Sequence, residues 1–156
     1  MATARVGSAR ERWQRLFVIE RSKNANVVVY DVHLDDDGYL DAKEPLTAYW
    51  ILNAEGGGRA KLNWFQWKYA YGFTVLGKPT RDGLRFHMVA VPKRVIVVRR
   101  ADGAYRAELT VAGRPCELVS FYVHTRETGV VPTVLYVDIH GKDLASGQSV
   151  VERATP

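Results

Sequence analysis

Short strand-like segments separated by turn residues recur along most of this chain, and their alternation constrains the fold more than any other feature. Apolar and β-branched runs predict strands at residues 16–20, 27–34, 46–52, 74–76, 84–91, 95–99, 105–111, 116–125 and 133–140. Asp82-Gly83 and Asp102-Gly103 are dipeptides typical of tight hairpin turns. We therefore predict a mainly β fold, an antiparallel meander of about eight or nine strands that forms a barrel. A two-sheet sandwich is the alternative, because the two architectures share these local patterns.

One segment departs from this pattern: residues 61–73, KLNWFQWKYAYGF, have the spacing of a helix. Its apolar side chains form two adjacent stripes, Leu62, Phe65 and Tyr69 in one and Trp64, Trp67 and Tyr71 in the other. We predict that this aromatic helix is interposed between strands and plugs or caps the β-structure, which covers it on two sides. Gly72 is expected to end the helix in a left-handed conformation, which would let Phe73 fold back on Trp67.

The alternative for this helix is the wall of a ligand site, with its rings facing a cavity and a lysine supplying charge at the mouth. The candidate ligand-binding residues are Trp50, Trp64, Trp67, Lys68 and Tyr71. A barrel of about eight strands can enclose one small ligand. Such an aromatic lining predicts an apolar or amphiphilic ligand.

The length of 156 residues suits one domain with a substantial core. We expect residues 1–12 to form a flexible basic arm and residues 13–156 to form a single β-rich domain. The single cysteine, Cys116, excludes an internal disulfide and favours a reducing compartment. The first residues lack the apolar core of a secretory signal, and no run is long enough for a transmembrane helix, so we expect a cytoplasmic protein without a membrane span.

The acidic loop that starts at His33 has part of the spacing of a calcium-binding EF-hand loop. If Gly38 takes the sharp-turn position, the candidate metal ligands are Asp35, Asp37, Asp41 and Glu44. His33 then stands at the first position, where a carboxylate oxygen is required, and the flanking segments are strand-like rather than helical. We therefore expect a solvated turn that binds calcium weakly or not at all.

Two further pairs, Asp31 with His33 and Asp138 with His140, have the i, i+2 spacing that puts both side chains on one face of a strand. If the second and last strands were neighbours, these four residues could form the metal site of a metal-dependent enzyme. The chain has no nucleophile elbow, phosphate-binding loop or dinucleotide fingerprint. We therefore expect no catalytic residue and no cofactor.

A net charge of +5 raises the question of an anionic partner. Four basic residues, Lys93, Arg94, Arg99 and Arg100, bracket one predicted strand, so a surface for single-stranded nucleic acid is a further alternative. The aromatic residues lie in the helix and at strand positions that alternate with apolar residues, where they are typical of a core. This placement argues against base stacking.

Four segments carry a family resemblance: residues 16–26 (LFVIERSKNAN), 46–51 (LTAYWI), 62–73 (LNWFQWKYAYGF) and 140–147 (HGKDLASG). They are similar to an uncharacterised bacterial family, a domain of unknown function (DUF4833-like). The resemblance extends over nearly the whole chain from Leu16 onward. It implies no catalytic residue, cofactor or ligand.

From these observations we expect a non-catalytic small-molecule-binding protein with a β-barrel-like fold, holding an apolar or amphiphilic ligand against the aromatic helix. The main alternative is an accessory or interaction subunit of a larger protein assembly, in which exposed aromatic side chains and the basic arm dock to another chain. An interior without a cavity, together with an exposed apolar patch, would favour the interaction subunit.

Overall fold

The computed structural model describes residues 12–126 and 133–155, which contain eleven strands, one short helix and a 3-10 turn at Asn53–Glu55. The strands are β1 (Trp13–Arg21), β2 (Asn24–His33), β3 (Leu46–Leu52), β4 (Gly58–Lys61), β5 (Phe73–Thr80), β6 (Gly83–Met88), β7 (Val91–Ala101), β8 (Ala104–Val111), β9 (Arg114–Arg126), β10 (Thr133–Asp143) and β11 (Ser149–Ala154). Helix α1 begins with an α-helical turn, Trp64–Gln66, and continues as a π-helical turn, Trp67–Tyr71. The predicted basic arm lies outside the described residues except for Arg12.

The strands form one sheet that is built from two antiparallel meanders. β1 to β4 pair in chain order, and so do β5 to β11. A parallel pairing joins the two meanders, because residues 18–21 of β1 lie beside residues 120–123 of β9. β8 pairs with the first residues of β9 on that same edge, and β10 pairs with β9 along the opposite edge. The sheet therefore branches at β9.

The predicted mainly β, barrel-like fold with one aromatic helix is confirmed, and the sheet curls into a half-barrel. The sheet is mixed rather than wholly antiparallel, because β1 and β9 pair in parallel. The described part of the chain has two strands more than the nine predicted segments, namely β4 (GRAK) and β11 (SVVERA). Both are edge strands, and neither has the long apolar run of a central strand, since GRAK contains one alanine and SVVERA two valines and one alanine. A strand at the edge of a sheet contacts the core with few of its side chains, so it needs few apolar residues. Its sequence therefore lacks the pattern from which strands are predicted.

Ring contacts show how far the sheet curls. Phe17 of β1 and Phe86 of β6 have three strands between them in the sheet, yet their ring centroids are 6.2 Å apart. Tyr30 of β2 and Phe73 of β5 have five strands between them, yet their rings are 6.4 Å apart. Phe17 also stacks on Tyr30 at 4.5 Å. The concave face of the half-barrel therefore holds one core that both meanders share.

The concave interior is filled by side chains. The largest fully buried ones include Tyr30, Phe17, Phe86, Met88, Ile96, Leu118 and Ile139. Two open clefts lie on the other, outer face of the sheet. The interior of the half-barrel is thus occupied by its own side chains, as in protein cores generally, which are packed as densely as organic crystals.

Helix α1 connects β4 to β5, which are the two ends of a nine-strand path through the sheet, so it spans the open side of the half-barrel. Asn63 caps its first turn: the Asn63 side chain accepts the N–H of Gln66 at 2.8 Å, and the Gln66 side chain accepts the N–H of Asn63 at 3.0 Å. Tyr71 is buried beside Trp50, with ring centroids 5.2 Å apart, and its carbonyl accepts the Tyr30 hydroxyl at 2.5 Å. These contacts fix the inner side of α1 to the core.

The prediction that α1 is covered on two sides is wrong. Tyr71 is its one buried residue, whereas Trp64, Phe65 and Tyr69 are more than half exposed. Eight residues make little more than two helical turns, so a single side of α1 reaches the core. Aromatic residues at helical spacing therefore mark a buried side and an exposed side in the same helix.

Gly72 ends α1 by a different mechanism from the one predicted. Its backbone is extended, with φ −70° and ψ 169°, rather than left-handed. Its N–H donates to the Trp67 carbonyl at 2.9 Å, and a Cβ at this position would lie 2.1 Å from that oxygen. Glycine is thus required by a close approach between backbones. Phe73 does lie against Trp67 as predicted, with ring centroids 5.0 Å apart.

Candidate functional site

Four side chains of α1 form an exposed aromatic surface, which consists of Trp64, Phe65, Trp67 and Tyr69. Their exposed fractions are 68%, 57%, 39% and 58%. Phe65 packs on Tyr69 with ring centroids 4.8 Å apart, and Trp64 meets Tyr69 edge-on at 6.2 Å. The rings cover one another only in part, and exposed apolar groups gathered in this way are typical of binding surfaces.

The aromatic surface carries positive charge. The Lys68 ammonium lies 4.9 Å from the Trp64 ring centroid and 5.3 Å from that of Tyr69. Helix α1 itself, residues 64–71, contains no aspartate or glutamate. The charge around the rings therefore favours an anionic partner.

The five predicted ligand-binding residues do not meet around one cavity. Trp50 and Tyr71 are buried and contact each other in the core. Trp64 and Lys68 are exposed, and Trp67 is partly exposed. The predicted ligand wall is thus divided into a buried half that holds α1 in place and an exposed half that is open to a partner.

A second candidate site, the outer cleft, consists of two adjoining depressions of about 370 and 230 Å³ on the outer face of β1 to β4, and both are lined by Trp13, Asp31, Tyr49 and Arg59. Its lining side chains are Trp13 and Arg15 of β1, Asp31 of β2, Thr47 and Tyr49 of β3, and Arg59 and Lys61 of β4. The strand register brings them together, because Arg15 pairs with Asp31, Asp31 with Thr47, and Tyr49 with Lys61. All of these residues point away from the core, since neighbouring residues of a strand alternate between faces.

Asp31 is the buried polar centre of the outer cleft, with 5% of its surface exposed. Its Oδ2 accepts the Tyr49 hydroxyl at 2.7 Å, and Arg15 Nε lies 3.6 Å from Oδ1. Burial raises the pKa of Tyr49, and the hydrogen bond to Asp31 raises it further. The Arg59 guanidinium lies over the Tyr49 ring, 4.8 Å from its centroid. These contacts hold a carboxylate, a phenol and a guanidinium in fixed positions around one opening.

The carboxylates of the acidic loop bind their own backbone and nearby cations. Asp35 Oδ1 accepts the N–H groups of Asp37 and Tyr39 at 2.9 and 3.0 Å, which makes an Asx turn. Asp41 Oδ1 accepts the N–H of Lys43 at 2.8 Å, and this bond is the main reason that the Asp41 pKa lies below its ordinary value. The described residues contain no group of three or more side chains that could hold a metal ion, so the four predicted ligands do not converge.

The two predicted aspartate–histidine pairs are far apart in the sheet, because β1 and β9 lie between β2 and β10. On β2, His33 stacks on Trp13 with ring centroids 4.2 Å apart. On β10, Asp138 binds Arg153 Nε at 2.9 Å and lies 3.3 Å from His124 Nε2. A joint site of the four residues, as a metal-dependent enzyme would need, does not form.

Three of the four basic residues around β7 engage acidic or aromatic side chains. Arg94 makes a bidentate pair with Glu152, and Arg99 Nε lies 3.6 Å from Glu108. The Arg100 guanidinium lies 4.5 Å from the Tyr39 ring centroid. These contacts give the cluster a structural role, and the exposed rings that base stacking would require lie on α1 instead.

Sequence reasoning missed most of the outer cleft. It singled out Asp31, but as a partner of His33, and it gave no role to Arg15, Tyr49 or Arg59. The available signal was a single carboxylate inside the apolar run Val-Val-Val-Tyr-Asp-Val. The neighbours of that carboxylate depend on the register of four strands, which the sequence does not reveal.

Comparisons with known proteins give a family and no activity. A family model described as Domain of unknown function (DUF4833) matches residues 17–153, well over half of the chain, which confirms the predicted resemblance. No curated protein and no solved structure matches the chain. Among the helices that the structure describes, none has the length and apolar character needed to cross a membrane.

Proposed function

This chain belongs to the DUF4833 family of unknown function, and we propose that it is a non-catalytic interaction module that docks to another protein chain through the aromatic surface of α1. The observation that carries this proposal is the exposure of Trp64, Phe65 and Tyr69 on one short helix. Tryptophan and tyrosine dominate the energetics of protein interfaces, because their large rings bury much apolar area at low entropic cost.

The construction of α1 supports docking with little rearrangement. The Tyr30 hydroxyl donates to the Tyr71 carbonyl, and Trp50 Nε1 donates to Gln66 Oε1 at 3.2 Å. These two hydrogen bonds attach α1 to the core. The exposed rings are therefore presented on a fixed base. A rigid base lowers the entropy lost on binding, which leaves more of the contact energy for affinity.

The charge of the aromatic surface defines the partner. Lys68 lies among the exposed rings, and two copies of this surface facing each other would bring two Lys68 ammonium groups together. This repulsion disfavours self-association through α1. The partner that fits is a protein with an apolar groove bordered by aspartate or glutamate.

Site-specific photo-crosslinking tests the proposal in the cells from which the sequence comes. A benzophenone amino acid is placed at Phe65, with Val95 as the control position, since Val95 is an exposed apolar residue of β7. We expect one discrete protein adduct from position 65 and none from position 95. The partner is then purified, and its affinity is measured by calorimetry for the wild type, Trp64→Ala and the control Val95→Ala.

We expect Trp64→Ala to weaken binding to the purified partner at least about tenfold, as truncation of an interface hot spot does, and Val95→Ala to leave it unchanged. Absence of an adduct at position 65, or equal affinity of Trp64→Ala and the wild type, would overturn the proposal. So would a blue shift of tryptophan emission on phosphatidylglycerol vesicles that Trp64→Ala abolishes, because the aromatic surface would then face a membrane.

A further inference from the structure

The outer cleft contains a buried carboxylate oxygen whose hydrogen-bonding capacity is unused. Asp31 Oδ1 is buried and accepts no hydrogen bond from any described residue, while Oδ2 is occupied by the Tyr49 hydroxyl. Arg15 Nε, at 3.6 Å, is beyond hydrogen-bond distance. A buried charged oxygen without a donor is costly, so this position favours a bound group that can donate a hydrogen bond.

The rim of the outer cleft has the opposite charge. Arg15, Arg59 and Lys61 line the cleft, and Asp31 is the one acidic residue among its lining side chains. Arg59 and Lys61 are exposed on β4, and Arg59 lies over Tyr49. Three cations against one carboxylate favour a ligand that carries negative charge.

We propose that the outer cleft binds a small zwitterion, a molecule with an ammonium group for Asp31 Oδ1 and a phosphate or carboxylate for Arg59 and Lys61. The ammonium group supplies the missing donor to the buried oxygen. The anionic group takes the guanidinium fork of Arg59, whose planar donors match phosphate and carboxylate oxygens. The apolar part of the ligand rests against Trp13, whose ring stacks on that of His33.

The size and the fixed lining of the cleft agree with this class of ligand. The volume of the larger of its two depressions, about 370 Å³, is at the small end of the range for ligand sites. The cleft is formed by paired strands rather than by loops, so its polar groups are held by the sheet register. This proposal does not depend on the docking role of α1, which lies outside the lining of the cleft.

Calorimetric titration with two zwitterions and their separate halves tests the proposal. The probes are phosphoethanolamine and β-alanine as zwitterions, and phosphate, acetate and ethanolamine as halves. We expect at least one zwitterion to bind at least about tenfold more tightly than either of its halves. In ¹H–¹⁵N spectra, the same zwitterion should shift the indole N–H of Trp13, which lines the cleft.

Variants assign the two ends of the ligand to their residues. Arg59→Gln, a change of an exposed side chain, should weaken zwitterion binding at least about tenfold, and the control Lys93→Gln, an exposed cation on β7, should leave it unchanged. Asp31→Asn keeps an acceptor for Tyr49 and should reduce zwitterion affinity to that of the anionic half alone. If Asp31→Asn does not fold, the affinity of Arg59→Gln and the comparison of each zwitterion with its separate halves still test the proposal.

The proposal is overturned if neither zwitterion binds, or if phosphate or acetate alone binds as tightly as its zwitterion, since Asp31 would then make no contribution. It is also overturned if ethanolamine alone binds as tightly as the zwitterions, or if Arg59→Gln and Lys93→Gln have equal effects.

Discussion

At the scale of the residue, Gly72 is a position where the backbone leaves no room for a side chain. A Cβ there would lie 2.1 Å from the Trp67 carbonyl oxygen, so Gly72→Ala must break the bond that ends α1. We expect Gly72→Ala to lower the free energy of unfolding by more than about 1 kcal/mol. The matched control is Gly58→Ala, where a Cβ meets nothing within 4 Å and φ is not in the left-handed range. Urea denaturation that shows equal stabilities for the two variants would contradict the close approach.

Glu152 connects the last strand, β11, to β7 and to the turn between β8 and β9. Its carboxylate pairs with Arg94 and accepts the N–H of Ala112. Both contacts lower the pKa of Glu152 below its ordinary value of 4.5, and the contact with Arg94 has the larger effect. When folding lowers the pKa of a carboxylate, that group contributes its full stabilisation at pH values above the pKa that it has in the unfolded chain. That contribution is lost as the pH falls through the folded-state value.

We therefore expect the coupling between Arg94 and Glu152 to depend on pH. A double-mutant cycle with Arg94→Gln and Glu152→Gln should give a coupling energy on the order of 1 kcal/mol at pH 7. The coupling should shrink steadily as the pH falls below 4.5. Urea denaturation at pH 7, 5, 4 and 3 measures it, and a coupling that stays constant over this range would refute the assignment.

At the scale of the element, α1 separates residues that stabilise the fold from residues that are available for binding. Trp50 is buried against Tyr71 at the inner side of α1, whereas Trp64 is exposed. Trp50→Ala should cost ~3–5 kcal/mol of stability, as truncation of a buried aromatic residue does. Trp64→Ala should change stability by less than ~0.5 kcal/mol, which is the usual range for an exposed side chain.

Trp67 lies between these two cases. It is partly exposed but packs on Phe73, so Trp67→Ala should cost less than Trp50→Ala and more than Trp64→Ala. Thermal and urea melts of the three variants give this order directly. A Trp64→Ala variant as unstable as Trp50→Ala would mean that the aromatic surface is part of the core, and the docking proposal would lose its basis.

At the scale of the whole molecule, the shared core predicts a single cooperative unfolding transition. Phe17 of the first meander contacts Phe86 and Phe121 of the second, at 6.2 and 5.9 Å between ring centroids. All four tryptophans lie in residues 13–67, so their fluorescence reports on the first meander and on α1, whereas far-ultraviolet circular dichroism reports on all strands. The two signals should change at the same urea concentration. Separate transitions would show that the meanders are independent folding units, against the predicted single domain.

The sequence by itself determined the features that depend on neighbouring residues. Alternating apolar residues and turn dipeptides predicted the strand class, and Asp102-Gly103 forms the expected tight turn with φ values of 53° and 81°. The residues of β3 were predicted with their observed bounds, Leu46–Leu52. Aromatic spacing placed the one helix correctly. These features are local, because hydrogen bonding and side-chain alternation within one strand or turn are set by a few consecutive residues.

Only the tertiary structure decided how these elements meet. The parallel pairing of β1 with β9 joins segments about a hundred residues apart, and nothing in either strand specifies the other. The exposed side of α1 follows from the position of Tyr71, which reaches Trp50 and Tyr30, whereas rings from both predicted stripes remain exposed. Arg15, Asp31 and Tyr49 converge because three strands pair in one register, and a shift of one residue would turn each side chain to the opposite face. Each of these arrangements depends on contacts between distant segments, so their energies are defined only once the sheet is assembled.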